Sequence, residues 1–221
     1  MNEPVRPIRR QILYLLGWLL FRAVAAILFR FTVRGRENIP REGGVLLAAN
    51  HASFMDPVLV GLGSWRPFGF LARDTLFRSF VMGWVLPRVN VIPLRRGAIS
   101  PETMRKVEAL LRAGSGIIMF PEGTRSRDGR LQPLRGGIIR LAQAAGVPVV
   151  PCWVWPTHRA LGRDHKFPRP CRITVRYGEP IEVPPDADPD DVLETLRARL
   201  DSLRLATEGE NPSALDSAVT E

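Results

Sequence analysis

With 221 residues the chain suits one sizeable domain and is short for two. An apolar content of 45% is ordinary for a globular protein, and two cysteines, Cys152 and Cys171, exclude a cysteine metal cluster or a disulfide framework; they read as reduced thiols in a cytosol-facing protein. The formal charge of +9 is unevenly spread: residues 182–221 hold eleven acids and three bases, which leaves +17 on residues 1–181. A body this basic suits a phosphate-bearing partner such as anionic lipid, a coenzyme or nucleic acid. Only Lys106 and Lys166 are lysines. Arginine's planar fork favours bidentate phosphate contacts, and a compositional bias of the source genome gives the same count.

Residues 1–34 open on Arg6, Arg9 and Arg10. An apolar run over 12–21, an interrupting Arg22 and a second run over 23–29 follow, then Arg30 and Arg34. This order resembles a signal peptide, but no small-x-small cleavage site precedes a polar start. A spanning helix wants about 20 apolar residues. The first run is shorter, and a crossing puts Arg22 mid-bilayer at about 2.5–3.5 kcal/mol. A helix lying in the interface avoids that cost by snorkelling Arg22 to the headgroups, with the flanking bases on anionic lipid and Tyr14 and Trp18 at the boundary. The same residues also suit a helix packed on the protein's own core.

A short strand is predicted at 32–34, then a turn around Pro40 and Gly43-Gly44. The apolar run 45–49 reads as a buried strand. It leads into Asn50-His51-Ala52-Ser53-Phe54-Met55-Asp56, and Asp56-Pro57 reads as a helix start, with Asp56 as N-cap. On one continuous helix His51 and Asp56 stand about 140° apart and do not face each other. A bent strand-to-helix connection brings them together, so that Asp56 holds one imidazole nitrogen and leaves the other to accept a proton. A plain cap and a polar loop histidine fit these residues too.

Residues 58–62 continue that helix, 68–72 are a candidate strand, and 76–86 are helical and unusually apolar, with Phe77, Phe80, Val81, Trp84 and Val85. A strand over 89–96 ends in Arg95 and Arg96, which alone read as a solvated strand end. Ser100-Pro101-Glu102 opens a helix with Met104, Val107, Leu110 and Leu111 on its buried stripe and Gly114 as its stop. The strand 116–120 follows, which makes a parallel crossover unit. It runs into Pro121-Glu122-Gly123-Thr124-Arg125-Ser126.

Asn-His-x-x-x-x-Asp at 50–56 and Phe-Pro-Glu-Gly-Thr-Arg-Ser at 120–126, each after an apolar strand, resemble the glycerolipid acyltransferases, in particular the 1-acylglycerol-3-phosphate acyltransferase family. The resemblance covers roughly residues 30 to 180. It implies that His51 is the general base and Asp56 its orienting partner. It implies a phosphate-binding residue at Arg96 or its neighbour Arg95, and that Glu122, Gly123, Thr124, Arg125 and Ser126 hold a phosphorylated acceptor. Arg125 can fork onto phosphate, Gly123 lets the backbone approach, and Thr124 and Ser126 add donors. Glu122 then binds a glycerol hydroxyl or fixes an arginine. Ser53 invites a nucleophile reading, yet no Gly-x-Ser-x-Gly elbow is present, and it reads instead as a turn hydroxyl that hydrogen-bonds the local backbone.

Farther on, Asp128-Gly129 is a turn, 138–145 a helix and 147–154 a buried strand. Its Val150-Pro151 matches a pair that recurs in the family, and proline is expected at a sheet edge or strand end. His158 and His165, among Arg159, Arg163 and Lys166, read as surface residues. A strand over 172–177 precedes a helix over 188–205 with Val192, Leu196, Leu200 and Leu203 inside. The expectation is one α/β domain with a mixed, mostly parallel sheet flanked by helices: a membrane-associating segment at 1–34, an acyltransferase domain at 35–206 and a disordered acidic tail at 207–221. The resemblance implies transfer of a fatty acyl group from acyl-CoA or acyl carrier protein, as donor substrate, to lysophosphatidic acid on the cytoplasmic face of a membrane. No metal and no cofactor are implied, and the apolar 76–86 segment can line an acyl-chain groove. The alternatives are another lysolipid acceptor, or a non-catalytic basic module for membrane or nucleic acid; no nucleic-acid motif is present.

Overall fold

The computed structural model describes residues 12–78, 83–84, 86, 90–94, 100–162 and 167–210. In chain order its elements are α1 (Ile12–Phe29), β1 (Thr32–Arg34), β2 (Val45–Ala49), α2 (Asp56–Gly63), β3 (Phe68–Arg73), β4 (Val91–Leu94) and α3 (Pro101–Arg112). There follow β5 (Gly116–Met119), α4 (Gly137–Ala145), β6 (Val149–Trp155), α5 (Thr157–Leu161), β7 (Thr174–Tyr177) and α6 (Pro189–Gly209). An unbroken apolar run such as β2 is stable only where both sheet faces are covered, and all five of its residues are buried. The strand order is β1-β7-β6-β2-β5-β3-β4. Every pairing is parallel except β6 with β7. This is the mixed, mostly parallel α/β sheet that the sequence predicts.

Alternate residues of β2 feed two cores. Leu46 and Ala48 join Val107, Leu111, Ile139 and Leu196 under α3, α4 and α6. Val45, Leu47 and Ala49 join Phe29, Leu59 and Tyr177 under α1 and α2. The chain leaves β2 through α2 on one face towards β3, and leaves β5 through α4 on the other face towards β6. The two connections diverge between β2 and β5, which is where open α/β sheets place their ligand crevice, at the carboxyl ends of the strands.

Several local expectations change in the fold. Pro151 lies in a central strand, opposite Ala48 of β2. Its carbonyl accepts the Gly178 N–H at 2.8 Å, just past the end of β7 at Tyr177, so the missing N–H falls in the gap between β7 and the Val149–Ile181 bridge. A Cβ on Gly178 would lie 2.9 Å from the proline ring. The C-terminal helix runs on to Gly209, beyond the 207 start expected for a tail, because Thr207 is buried and its hydroxyl accepts from Arg176 at 3.1 Å. Residues 32–34 belong to the sheet. Residues 211–221 and much of the apolar 76–86 segment lie outside the described residues.

Helix α1 packs one stripe, Trp18, Ala25 and Phe29, on the body and exposes Leu16, Leu20, Phe21 and Ile27. Arg22 does not reach outward. Its guanidinium stacks 5.3 Å from Trp18 and donates to the Leu62 carbonyl at 3.0 Å, capping the C-terminal end of α2. Among the described residues no helix is long and apolar enough to cross a membrane.

Candidate active site

The two motifs leave the adjacent parallel strands β2 and β5 at the same end of the sheet. Asn50 prolongs the pairing of β2 with β6: its side-chain amide donates to Val154 O at 3.0 Å and accepts the Val154 N–H at 2.7 Å. The chain then turns sharply. Asp56 is fully buried and opens α2, yet caps nothing in that helix. Its Oδ2 accepts the N–H groups of Ala52 and Ser53 at 2.6 and 2.7 Å and lies 2.9 Å from His51 Nδ1. A carboxylate only accepts, so Nδ1 carries the proton and Nε2 presents its lone pair. The imidazole is stacked 4.0 Å from the Phe120 ring and remains 19% exposed. That is the geometry of an oriented general base.

Glu122 ties the second loop to this histidine. It is 3% exposed; Oε1 accepts the His51 N–H at 2.7 Å and Oε2 the Gln132 N–H at 3.0 Å. The Ser126 N–H donates to His51 O at 2.7 Å, so both main-chain polar groups of residue 51 are fixed by the 122–126 loop. Burial raises the Glu122 carboxyl to about 7, helped by the Asp56 charge and opposed by the two N–H donors. Both oxygens that were expected on a glycerol hydroxyl or an arginine thus sit on main-chain donors.

The remaining residues of the loop divide by exposure. Ser126 is buried and its hydroxyl donates to Asp128 Oδ1 at 2.9 Å. Gly123 and Thr124 are exposed. Gly123 has φ +69°, and a Cβ there would lie 3.0 Å from the guanidinium carbon of Arg135. Arg135, which no motif singled out, therefore lies against this loop, with its N–H on Pro121 O at 2.9 Å. Half-buried Arg125 lies with its guanidinium carbon 3.5 Å from the centre of the Phe54 ring. Arg95 and Arg96 lie outside the described residues, as does His165.

Two other candidates have structural partners. Ser53 is fully buried; its hydroxyl donates to Leu161 O at 2.7 Å and accepts the Met55 N–H at 3.1 Å. His158 is half-buried against Trp155, ring centres 4.7 Å apart, and a Cβ on Gly129 would lie 2.5 Å from its Nδ1. It props the 128–129 turn, which corrects the surface reading. Burial, with the Asp56 charge second, pushes the Cys152 thiol up, and burial raises Cys171 to about 11, so neither is a nucleophile near neutrality. Among the described residues no three His, Cys, Asp or Glu side chains gather as metal ligands.

A family model described as Acyltransferase matches residues 30–155. The chain is 32% identical over 139 residues to a chloroplastic 1-acyl-sn-glycerol-3-phosphate acyltransferase of Brassica napus, covering 60% of this chain and 39% of that protein. It is 33% identical over 131 residues to the 1-acyl-sn-glycerol-3-phosphate acyltransferase of Borreliella burgdorferi, covering 58% of this chain and 52% of the relative. The chain thus spans about half or less of the length of these curated relatives. The crystal structure of the 1-acyl-sn-glycerophosphate (LPA) acyltransferase PlsC from Thermotoga maritima is similar with a TM-score of 0.72 at 26% identity, over 87% of this chain and 80% of that one. The family match runs through more than half of the chain and takes in both clamped loops, and the chain belongs to the acyltransferase family.

Proposed function

We propose that the chain transfers a fatty acyl group from an acyl thioester to the free hydroxyl of lysophosphatidic acid, giving phosphatidic acid. The observation that carries this reading is the His51–Asp56 pair held at 2.9 Å beside a loop that presents Arg125. In the reaction, His51 Nε2 takes the hydroxyl proton as the oxygen attacks the thioester carbonyl. The tetrahedral oxyanion collapses, the carbon–sulfur bond breaks, and the imidazolium returns the proton to the leaving thiolate. Base and attacking hydroxyl act directly, so no acyl-enzyme is needed. Asp56 keeps Nδ1 protonated and steadies the imidazolium. Arg125, with Arg95 or Arg96, holds the acceptor's phosphate, which fixes the hydroxyl relative to the base.

The donor is a thioester of coenzyme A or of acyl carrier protein. The +17 body suits a phosphate-bearing donor. The enzyme works at a membrane surface, attached through α1. That helix is apolar around most of its circumference while the body covers a single stripe, and it is flanked by Arg10 and Arg30.

The test is acyl transfer by membranes containing the wild-type protein or His51→Ala at matched levels, with lysophosphatidic acid and either donor. Phosphatidic acid formation that falls by about 10²–10⁴ in the variant is the expected result. Equal rates from both proteins would remove His51 from the chemistry, and activity confined to a different lysolipid would replace the acceptor.

A further inference from the structure

Phe120 directly follows β5, which ends at Met119. Its ring packs on the core beneath α1 and α2, and its carbonyl accepts the Gly123 N–H at 3.0 Å. The body of the domain thus fixes the ring, and the ring face carries the base. The His51 imidazole lies 4.0 Å away, centre to centre, with the two planes 24° apart. Glu122 and Ser126 hold the main chain of residue 51, and Asp56 holds Nδ1. A hydrogen bond at one vertex still lets a ring rock about that vertex, which moves Nε2 across the ring from it. A face-to-face stack opposes this rocking. The stack also responds to charge. A phenyl ring is negative at its face, so it attracts a cation placed over it more strongly than a neutral ring. A general base of this kind is uncharged before it takes a proton and an imidazolium afterwards.

We infer that Phe120 is a positioning residue whose ring face steadies the His51 imidazole and favours the imidazolium that forms as Nε2 takes the acceptor's proton. The contact strengthens as the charge develops, so it acts on kcat and not on acceptor binding. The inference rests on the general-base reading above and adds to it a partner from the second motif.

The experiment is kinetics of Phe120→Leu, Phe120→Met and Phe120→Tyr with lysophosphatidic acid and acyl-CoA varied separately. Beside it, NMR of the histidine-labelled, detergent-solubilised protein follows the imidazole Hε1 of His51, assigned by its loss in His51→Ala. Phe120→Leu and Phe120→Met lower kcat by about two- to thirtyfold, the range a cation–π contact spans from exposed to desolvated. Acceptor KM stays in place, and Phe120→Tyr, which keeps the ring, holds kcat within about twofold. The Hε1 resonance, shifted upfield by the ring current of the stack, moves downfield in the Leu and Met variants and not in Phe120→Tyr. Methionine is the adaptable second choice should leucine leave the domain unfolded. Wild-type kcat without the ring overturns the inference, as does a Phe120→Tyr enzyme as slow as Phe120→Leu, or an Hε1 resonance that does not move. A kcat that falls only together with a raised acceptor KM marks a displaced loop and overturns it as well. Failure of the acceptor reading looks different: the wild-type protein makes no product from lysophosphatidic acid. The same kcat comparison is then made with the lysolipid that is turned over, and a wild type inactive on every lysolipid overturns both readings.

Discussion

Replacing Glu122 with glutamine separates a clamp from a substrate ligand. The carboxylate accepts two main-chain N–H groups, from His51 and Gln132. Glutamine offers one acceptor, and its NH₂ opposes the second donor. One bond is lost and one buried donor is stranded, at about 1–3 kcal/mol. Against this, the substitution removes a buried charge. The folded carboxyl titrates at about 7 against an ordinary 4.5, so the native state holds its proton after the unfolded chain has lost it. The stability this group contributes is complete below about 4.5 and declines as pH rises to 7, by about 3 kcal/mol at 1.36 kcal/mol per unit. Glu122→Gln has no such decline. Thermal unfolding followed by circular dichroism should therefore show the variant gaining on the wild type between pH 4.5 and 7.5, by roughly 2–4 °C per kcal/mol. Turnover should move the other way: kcat falls about tenfold or more, because the base loses one main-chain anchor, while acceptor KM holds nearly constant. Parallel unfolding curves across this window would refute the burial argument. A raised acceptor KM at unchanged kcat would put the carboxylate on the substrate instead.

Ser53→Ala should keep turnover within a few-fold while lowering stability by about 1–2 kcal/mol, since its hydroxyl serves Leu161 O and the Met55 N–H; a loss of 10³ in kcat would restore the nucleophile reading. Gly123→Ala places a Cβ at φ +69° and 3.0 Å from the Arg135 guanidinium. It should cost about 1–2 kcal/mol and raise acceptor KM, and an unfolding temperature equal to wild type would contradict the strain. Arg22→Leu removes the donor to Leu62 O and should speed amide exchange along α1 without weakening sedimentation on anionic vesicles. Weaker sedimentation at unchanged exchange would return Arg22 to the headgroups.

What the sequence shows by itself is what neighbours in the chain decide. The apolar run of β2 and the Ser100 cap of α3, whose hydroxyl accepts the Thr103 N–H, are each set within a few residues. The stop at Gly114 (φ +85°) is equally local. Pro151 was legible as a proline in a strand but not as a central one, because its tolerance depends on where β7 ends, some 26 residues on. Asp56 carries the same cap signal whether its carboxylate serves α2 or bends back to residues 51–53. Only the path of the turn decides, and that path is held by Val154 and Leu161, more than a hundred residues away. The partners of Glu122 and the prop at His158 were hidden for the same reason. Both are contacts between loops brought together by strand order, which the spacing of motifs does not encode.

The arginines show why charge counting alone misplaces function. Arg22, Arg36 and Arg66 donate to carbonyls of Leu62, of Gly63, and of Pro40 and Gly114, while Arg112 reaches Ala144. They satisfy acceptors at helix ends and in turns, where an unpaired buried carbonyl is costly. Their charge still adds to the positive field that draws anionic lipid or donor, since a field depends on position and not on hydrogen bonding. Under the proposed function a phosphate fork is a local property that the count of arginines does not give, and the bonds around the reacting groups matter more than that count. His51 is fixed by its own main chain at both polar groups and by its ring at Nδ1. Under the proposed function, a base fixed in this way leaves the placement of the acceptor hydroxyl to the contacts that hold the acceptor itself.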